Sequence, residues 1–419
     1  MTTNLSQRKK ILRIYSAALK VVHGEESVAH YLSGKEFSQR IVDNEKVAIL
    51  AVGKAAQSMA QGAYVVVKEN FLRGLVISKQ GYLQSSILNS QFDCFESSHP
   101  VPSEKSLIAG QKLVDFVTGL PEKTHLIVLI SGGTSALVEQ LKIGISLNDL
   151  IKVNSWLLGS GLAIEKMNTI RQRLSNIKGG QLASFARHLK VSNLLLSDVL
   201  SNAPCFIGSG LFVENITNTA VVNLPDWLKK ILSHTIDNQK GEDGPEIFTG
   251  LVATNTLLLN KIGTLCDSTT KIAKFDRALS GTVEQEAEKI AKQVMQGESG
   301  FYIWGGEPTV KLPANAGKGG RNQHLALLVA NKIQEMRNIV VLCIGTDGTD
   351  GNTEDAGALV DSETVLRGEQ DGFSVEECIQ SYNSSTFLHA SGDVVNTGAT
   401  GTNVMDVVIA YKWELDFII

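Results

Sequence analysis

The stretch LIVLISGGTSALV, residues 126–138, predicts the fold of the chain around it. Residues 126–130 are wholly apolar, as expected of a strand buried on both faces of a parallel sheet. The polar and glycine-rich residues 131–135 come next, and Ala136 begins a helical pattern. A strand, a glycine turn and a helix start together present free backbone N–H groups and the positive end of a helix dipole, which favours anion binding. The alternative is a tight turn whose glycines only let the chain bend.

Four other apolar runs lead into polar or glycine-rich loops. They are residues 46–52 before 53–55, residues 193–196 before 197–198, residues 301–304 before 305–307, and residues 339–344 before 345–351. Ligands of open α/β sheets bind outside the carboxyl ends of the strands. The five strand ends therefore predict a shared cleft lined by lysine, carboxylates and N–H donors.

The length and composition describe a globular protein of more than one domain. A chain of 419 residues is too long for one ordinary core, and 43% hydrophobic with 20% charged residues is typical of a soluble protein. A net charge of −4 gives no reason to expect nucleic acid or a membrane surface as partner. The sequence leaves the oligomeric state open, a homodimer included.

The cysteines and the N-terminal residues indicate a cytoplasmic protein. The five cysteines are scattered and form no CxxC or Cys/His cluster, so we expect reduced and mostly buried thiols. The polar start MTTNLSQRKK lacks the apolar core of a signal peptide, and no apolar run approaches the ~18 residues of a membrane span.

Strands alternate with helices in both halves, which predicts an α/β fold throughout. Charge, glycine and proline concentrate in residues 238–250, NQKGEDGPEIFTG. Such a stretch favours a domain junction, so we predict domains at residues 1–240 and 241–419.

Several basic residues are candidates for binding an anion. Lys54 follows Gly53 at a strand end, where a lysine can reach a phosphate, although the pattern is not a Walker A loop and a surface lysine is an equal alternative. Arg171 and Lys178, seven residues apart, would share a helix face that either meets an anion or is solvated. Arg321 ends the glycine-rich run 317–321 at a predicted helix start. Because the helix dipole disfavours an arginine there, we expect an external anion to meet it.

Acidic residues crowd the loop after the strand at 339–344. Asp347 and Asp350 are candidate ligands for Mg²⁺ held partly by substrate phosphates, and a solvated acidic turn is the alternative. Asp198, at another strand end, could orient or deprotonate a hydroxyl, or cap a helix. In residues 398–404, GATGTNV, Thr400 and Asn403 suit a phosphate or adenine contact and equally a hydrogen-bonded turn. His99 and His389 lack obvious partners and are interpreted as structural.

Cations, N–H donors, metal-binding acids and a spare carboxylate are what phosphoryl transfer requires. The sequence has no dinucleotide GxGxxG fingerprint, no GxSxG and no HExxH.

Taken in order, the segments resemble the type II glycerate 2-kinase family, whose C-terminal part is the MOFRL domain. The resemblance covers nearly the whole chain, and its specificity lies in the combination. The matching stretches are residues 52–56, 98–102, 131–137, 168–183, 196–199, 305–307, 319–323, 345–357 and 397–406.

The resemblance implies transfer of the γ-phosphoryl of ATP, with Mg²⁺, to the 2-hydroxyl of D-glycerate or a related 2-hydroxy acid. It implies an N-terminal Rossmann-like domain with a mostly parallel sheet, a C-terminal MOFRL-type α/β domain, and an active site between them. The family's lysine, strand-end aspartate and arginine correspond to Lys54, Asp198 and Arg321. The predicted contacts to substrate or nucleotide are Ser131, Gly132, Gly133, Ser135, Arg171, Lys178, Glu307, Gly319, Gly320, Asn322, Thr400 and Asn403, and the predicted metal ligands are Asp347 and Asp350.

The chain departs from the family pattern at four positions: Asn202, Leu211, Pro308 and Ala399. Asn202 replaces an aspartate close to Asp198, so the acceptor substrate is the least determined part of the prediction. The alternatives are hydroxypyruvate reduction, which would need a nicotinamide site, and a non-catalytic sensor of a sugar acid.

Overall fold

The computed structural model describes residues 2–38, 40–41, 45–84, 90–160, 162, 164–214, 224–233, 244–266, 271–274, 278–313 and 315–415. The strands are β1 Val47–Val52, β2 Phe71–Lys79, β3 Phe92–Ser97, β4 His125–Ile130, β5 Lys190–Leu196, β6 Glu246–Ala253, β7 Ile272–Lys274, β8 Gly300–Gly306, β9 Ile339–Gly345, β10 Gly357–Asp361, β11 Val394–Val395 and β12 Asp406–Lys412. The α-helices are α1 Thr2–Leu19, α2 Gly24–Leu32, α3 Lys35–Ser38, α4 Ala56–Val67, α5 Glu104–Thr118, α6 Thr134–Leu137, α7 Leu147–Gly159, α8 Ile164–Leu174, α9 Asp226–Ser233, α10 Asn255–Leu265, α11 Val283–Gln296, α12 Arg321–Lys332, α13 Thr364–Gln370, α14 Val375–Gln380 and α15 Ser384–Ala390. Short 3₁₀ helices lie at Lys20–Val22, Gln181–Phe185 and Ile207–Ser209.

The chain forms two compact units. Residues 23–253 form one, called here the parallel-sheet unit, and residues 1–22 with 254–419 form the other, called the mixed-sheet unit. The predicted boundary after residue 240 thus lies ahead of β6, which pairs with β5 in the first unit. The N-terminal helix also groups with the C-terminal residues, which the sequence did not indicate.

The parallel-sheet unit has a six-stranded sheet in the order β3-β2-β1-β4-β5-β6, with every neighbouring pair parallel. This is the Rossmann order, and it confirms the α/β prediction for this part of the chain. Every residue of β1 and β4 is buried, as their apolar sequences require for strands covered on both faces. Leu50, Val128 and Leu113 belong to the core cluster that holds α5 against the sheet.

The strand order reverses between β1 and β4, which is the switch point where ligands bind in such sheets. These two strands pair directly, and Val52 lies opposite Ile130. The loops that follow them therefore leave the sheet at the same level, side by side.

The mixed-sheet unit has a second six-stranded sheet in the order β11-β10-β9-β12-β8-β7. β12 runs antiparallel to both of its neighbours, and Asp406 at its start pairs with Gly306 and with Gly345. One end of the sheet consequently holds the carboxyl ends of β8 and β9 together with the start of β12.

The N-terminal helix α1 is tied to its unit by charge. The two terminal nitrogens of Arg8 bind Asp361 at 2.8 Å and Asp393 at 2.7 Å, and both aspartates are almost fully buried. Arg367 binds the same two aspartates. The two arginines neutralise two carboxylates that could not be buried unpaired.

The described part of the chain contains no helix of sufficient length and apolarity to cross a membrane. All five cysteines are free thiols, and three of them, Cys266, Cys343 and Cys378, are buried.

Candidate active site

The glycine loop after β4, residues 131–135, presents backbone donors. In the described residues, no protein acceptor takes the N–H groups of Gly132, Gly133, Thr134 and Ser135. Gly133 has a φ of 90°, a left-handed conformation that glycine adopts without strain. Successive unpaired N–H groups in such a turn form a concave site for an anion.

The helix dipole contributes little here, contrary to the sequence prediction. α6 is four residues long, and the chain is extended again at Val138. A macrodipole needs several aligned turns, so any anion affinity of this loop comes from its local N–H groups.

Ser131 is in the predicted loop, but its side chain is not available to a ligand. It is fully buried, and its hydroxyl accepts the N–H of Ala55 at 3.0 Å. A Cβ at Gly53 would lie 2.1 Å from this hydroxyl, so glycine is required there for the two switch-point loops to meet. The Ser131 side chain thus joins the two loops, and the predicted phosphate contact of the loop depends on its backbone N–H groups.

Lys54 lies beside the glycine loop. Its backbone N–H donates to the carbonyl of Gly132 at 2.9 Å, and its Cγ is 3.4 Å from the position of a Cβ on Gly133. The imidazole of His99 approaches the same point, at 3.1 Å. His99, interpreted as structural from the sequence, thus borders the same loop, and only its place in the resembling stretch 98–102 could have indicated this.

The side chain of Lys178 is engaged by protein groups. Its ammonium binds the carboxylate of Glu139 at 2.6 Å and the backbone carbonyl of Ser135 at 2.8 Å, and its side chain is only 2% exposed. A ligand would have to break this buried ion pair to reach the ammonium. The predicted direct contact stays a prediction, and in this structure Lys178 holds the end of the glycine loop.

Arg171 and Lys178 do not share a helix face. α8 ends at Leu174, so only Arg171 is helical. Its Nε donates to the amide oxygen of Asn154 at 3.0 Å, a neutral partner. Burial lowers the pKa of Arg171. Arg171 stays a candidate anion contact.

Asp198 follows the buried end of β5 and is half-buried. Asn202 ends the turn after it with a φ of 51°, a left-handed conformation that asparagine tolerates well. The buried amide oxygen of Asn202 has no hydrogen-bond partner. An unpaired buried acceptor is costly, so a donor from a ligand or water fits this position.

In the mixed-sheet unit, Arg321 starts α12 and meets protein carboxylates. Its Nε and Nη2 bind the two oxygens of Asp406 at 2.5 and 3.0 Å, and its Nη1 binds Glu307 at 2.7 Å. Burial by itself lowers the pKa of Arg321, but Asp406 and Glu307 together raise it above its ordinary value. The expected external anion is thus not needed to explain this arginine. Sequence reasoning did not single out Asp406, although it starts an apolar run and ends the resembling stretch 397–406.

Asp350, a predicted metal ligand, caps α12. Its two oxygens accept the backbone N–H groups of Asn322 and Gln323 at 3.1 and 2.8 Å. Burial raises the pKa of Asp350 to about 7. With both oxygens engaged by the helix start, this carboxylate is poorly placed to bind a metal.

Two N–H groups of the glycine run before α12 are taken by side chains. The N–H of Gly319 donates to the side chain of Asn352 at 2.9 Å, and that of Lys318 donates to Asn383 at 3.0 Å. A Cβ on Gly320 would lie 2.3 Å from the carboxylate of Asp350, so close packing requires glycine there. The predicted phosphate contacts of Gly319 and Gly320 stay a prediction.

Asp347 is the better candidate for Mg²⁺. It is 8% exposed. A Cβ on Gly345 would lie 3.5 Å from Oδ1 of Asp347 and 3.4 Å from Nδ2 of Asn322, so both side chains border Gly345. The amide oxygen of Asn322 is buried without a partner. The described residues contain no group of three His, Cys, Asp or Glu side chains suited to a metal. The carboxylate of Asp347 nevertheless suits Mg²⁺, which keeps waters and takes substrate phosphates as its other ligands.

The loop at 397–403 lies against the loop that holds Asp347. The hydroxyl of Thr400 donates to the carbonyl of Thr346, and a Cβ on Gly348 would meet the carbonyl of Gly398 at 1.9 Å. Thr400 therefore joins two loops, as the turn interpretation requires. Asn403 is half-buried and stays a candidate contact.

Each unit places charged or hydrogen-bonding groups where its strands end, as α/β enzymes that bind anionic substrates do. Residues 10–232 match a family described as a domain of unknown function, DUF4147, and residues 300–406 match the MOFRL family.

Three comparisons with known proteins cover nearly the full length. The D-glycerate 2-kinase of Thermotoga maritima is 31% identical over 96% of this chain and 98% of its own. A crystal structure of glycerate kinase from the same organism has a TM-score of 0.80 and 28% identity over 97% of this chain and 99% of its own. A protein of Agrobacterium vitis, named only provisionally as a hydroxypyruvate reductase, is 31% identical over 97% of this chain and 95% of its own. The chain belongs to the glycerate 2-kinase family whose C-terminal part is the MOFRL domain.

Proposed function

We propose that the protein transfers the γ-phosphoryl of ATP to the 2-hydroxyl of D-glycerate, giving 2-phosphoglycerate and ADP. The observation that carries the proposal is a row of N–H groups at residues 132–135, which find no acceptor within the described residues and lie beside Lys54 at the switch point of a Rossmann-ordered sheet. Such a site binds phosphate oxygens without a Walker A sequence.

The proposal gives four residues a role in the reaction. Lys54 and Arg321 offset the negative charge of the transferring phosphoryl group, which is the main demand of phosphoryl transfer. Asp198 accepts or orients the proton of the acceptor hydroxyl. Asp347, together with substrate phosphates, holds Mg²⁺, which would neutralise phosphate charge when bound.

The four departures from the family pattern bear unequally on the acceptor. Leu211 is packed in the core and Pro308 is buried, while Ala399 is exposed. Asn202 differs from these because its buried oxygen is unpaired and it follows Asp198 by four residues. We therefore propose Asn202 as the position that sets which 2-hydroxy acid is accepted.

A coupled assay of ADP release over a panel of 2-hydroxy acids, with mass spectrometry of the product, tests the activity. D-Glycerate is expected to give the highest kcat/KM. Arg321→Ala should lower turnover by on the order of 10³-fold, because it removes a cation that acts on the transition state. Turnover within a few-fold of the parent would remove Arg321 from the mechanism. Substrate-dependent oxidation of NADH without ADP release would replace the kinase by a reductase.

A further inference from the structure

The guanidinium of Arg321 binds two carboxylates that differ in their exposure to solvent. Asp406 binds two of its nitrogens and is almost fully buried, with a side-chain exposure of 2%. Glu307 binds the third nitrogen at 2.7 Å, and its side chain is 45% exposed. Moving Asp406 would leave a buried charge unpaired, whereas Glu307 can rotate into water.

The backbone of Glu307 is tied to the sheet, while its carboxylate reaches solvent. Its N–H donates to the carbonyl of Leu279 at 2.8 Å, directly after β8 ends at Gly306, and its side chain is 45% exposed. Exchange of the partner at Nη1 of Arg321 therefore requires no movement of the sheet.

Carboxylate and phosphoryl oxygens use the same geometry on a guanidinium. Both accept charge-assisted hydrogen bonds from the planar N–H groups of arginine. A phosphoryl oxygen arriving at Arg321 would therefore compete for the nitrogen that Glu307 occupies. Until it arrives, Asp406 and Glu307 together outweigh the single positive charge of Arg321.

We propose that Glu307 is a stand-in for a phosphoryl oxygen of the nucleotide, holding Arg321 in its binding orientation until that oxygen displaces it. The sequence suggested that Glu307 contacts the nucleotide. In this proposal Glu307 instead competes with the nucleotide for Arg321 and is displaced by it. The inference rests on the proposed kinase function and assigns a role to one residue of that site.

The test is the binding of ADP and ATP to the full chain by isothermal titration calorimetry, once in EDTA and once in Mg²⁺. Glu307→Gln keeps the shape and removes the charge. It should bind metal-free nucleotide about fivefold more tightly, the scale of losing one partly exposed ion pair. The control is Glu288→Gln, which removes a more exposed carboxylate, 66% against 45%, paired with Lys332 at the other end of α12, and should leave binding unchanged.

A second variant asks whether the gain depends on Arg321. In an Arg321→Met background, Glu307→Gln should give no gain, because the competition it relieves no longer exists. A gain of the same size in that background would mean that Glu307 acts by general repulsion, and the proposal would be wrong.

Two other outcomes separate the inference from the function it rests on. If the parent binds nucleotide but Glu307→Gln leaves metal-free binding unchanged or weaker, the stand-in role fails and the kinase proposal stands. Weakening confined to the Mg²⁺ titration would identify Glu307 as a metal ligand, again overturning the stand-in role. If the parent binds neither nucleotide in either buffer, the proposed function fails with it.

Discussion

The buried ion pair of Lys178 and Glu139 gives the sharpest test of what the structure adds to the sequence. The two side chains are 2% and 1% exposed and 2.6 Å apart. Lys178→Met and Glu139→Gln each remove one charge and leave the other buried. The double variant with Met at 178 and Leu at 139 removes both charges and keeps most of the volume.

The expected magnitudes follow from burial. Breaking a buried pair by removing one partner costs about 3–5 kcal/mol, because an unpaired charge remains in the interior. For a unit of this size, at about 2–4 °C per kcal/mol, that corresponds to a Tm lowered by about 6–20 °C. Replacing both partners by apolar side chains is often neutral, so the double variant should regain most of the lost stability.

Thermal denaturation and the coupled ADP assay together decide the role of Lys178. The double variant should keep kcat within about tenfold of the parent, since only the hydrogen bond to the carbonyl of Ser135 is lost from the loop. Glu298→Gln, which breaks a fully exposed pair with Lys271, should leave Tm unchanged. A double variant that is as stable as the parent but more than a hundredfold slower would show that Lys178 contacts the substrate after all.

Three further predictions concern other residues. Asp406→Asn should lower kcat/KM at least ~10-fold in the ADP assay, because the amide cannot hold Arg321 by two charged bonds; unchanged kinetics would contradict this. Gly53→Ala should lower the free energy of unfolding by at least ~2 kcal/mol in urea titration, since its Cβ would overlap the next loop, whereas Gly81→Ala, with a φ of 81° and open space around it, should cost less. Burial lowers the pKa of His125, so the unfolded chain binds its proton more readily and stability should fall as the pH drops below about 6.5. Tm measured from pH 7.5 to 5.5 checks this, and His125→Gln should flatten the dependence.

The sequence predicts the centre of the parallel sheet well because its central strands β1 and β4 are buried on both faces. Apolar runs such as residues 47–52 and 126–130 cannot be surface segments, and the polar loops after them mark their carboxyl ends. The spacing of Ser146 and Asp149 predicts a capping pair, and the structure confirms it at the start of α7, with reciprocal hydrogen bonds of 2.9 and 3.1 Å. These features depend only on neighbours in the sequence.

The parts that sequence reasoning missed depend on long-range pairing. Arg321 was expected to need an external anion, but Asp406, 85 residues later, supplies an internal one. Asp350 was assigned to a metal because nothing in its own loop shows that it caps a helix starting at Arg321. The short strands β7 and β11, three and two residues long, also carry too little pattern to be recognised.

The mixed-sheet unit is built from two separate segments of the sequence, and this affects how the protein can fold during its synthesis. Its first helix, α1, packs with α10, but the whole parallel-sheet unit is encoded between them. During translation the parallel-sheet unit can form its sheet before the residues that pack against α1 have been made. Until then, the side of α1 that is buried in the folded unit is accessible to the ribosome surface and to chaperones. The order of synthesis therefore lets residues 23–253 fold first, and residues 1–22 pair with residues 254–419 only afterwards.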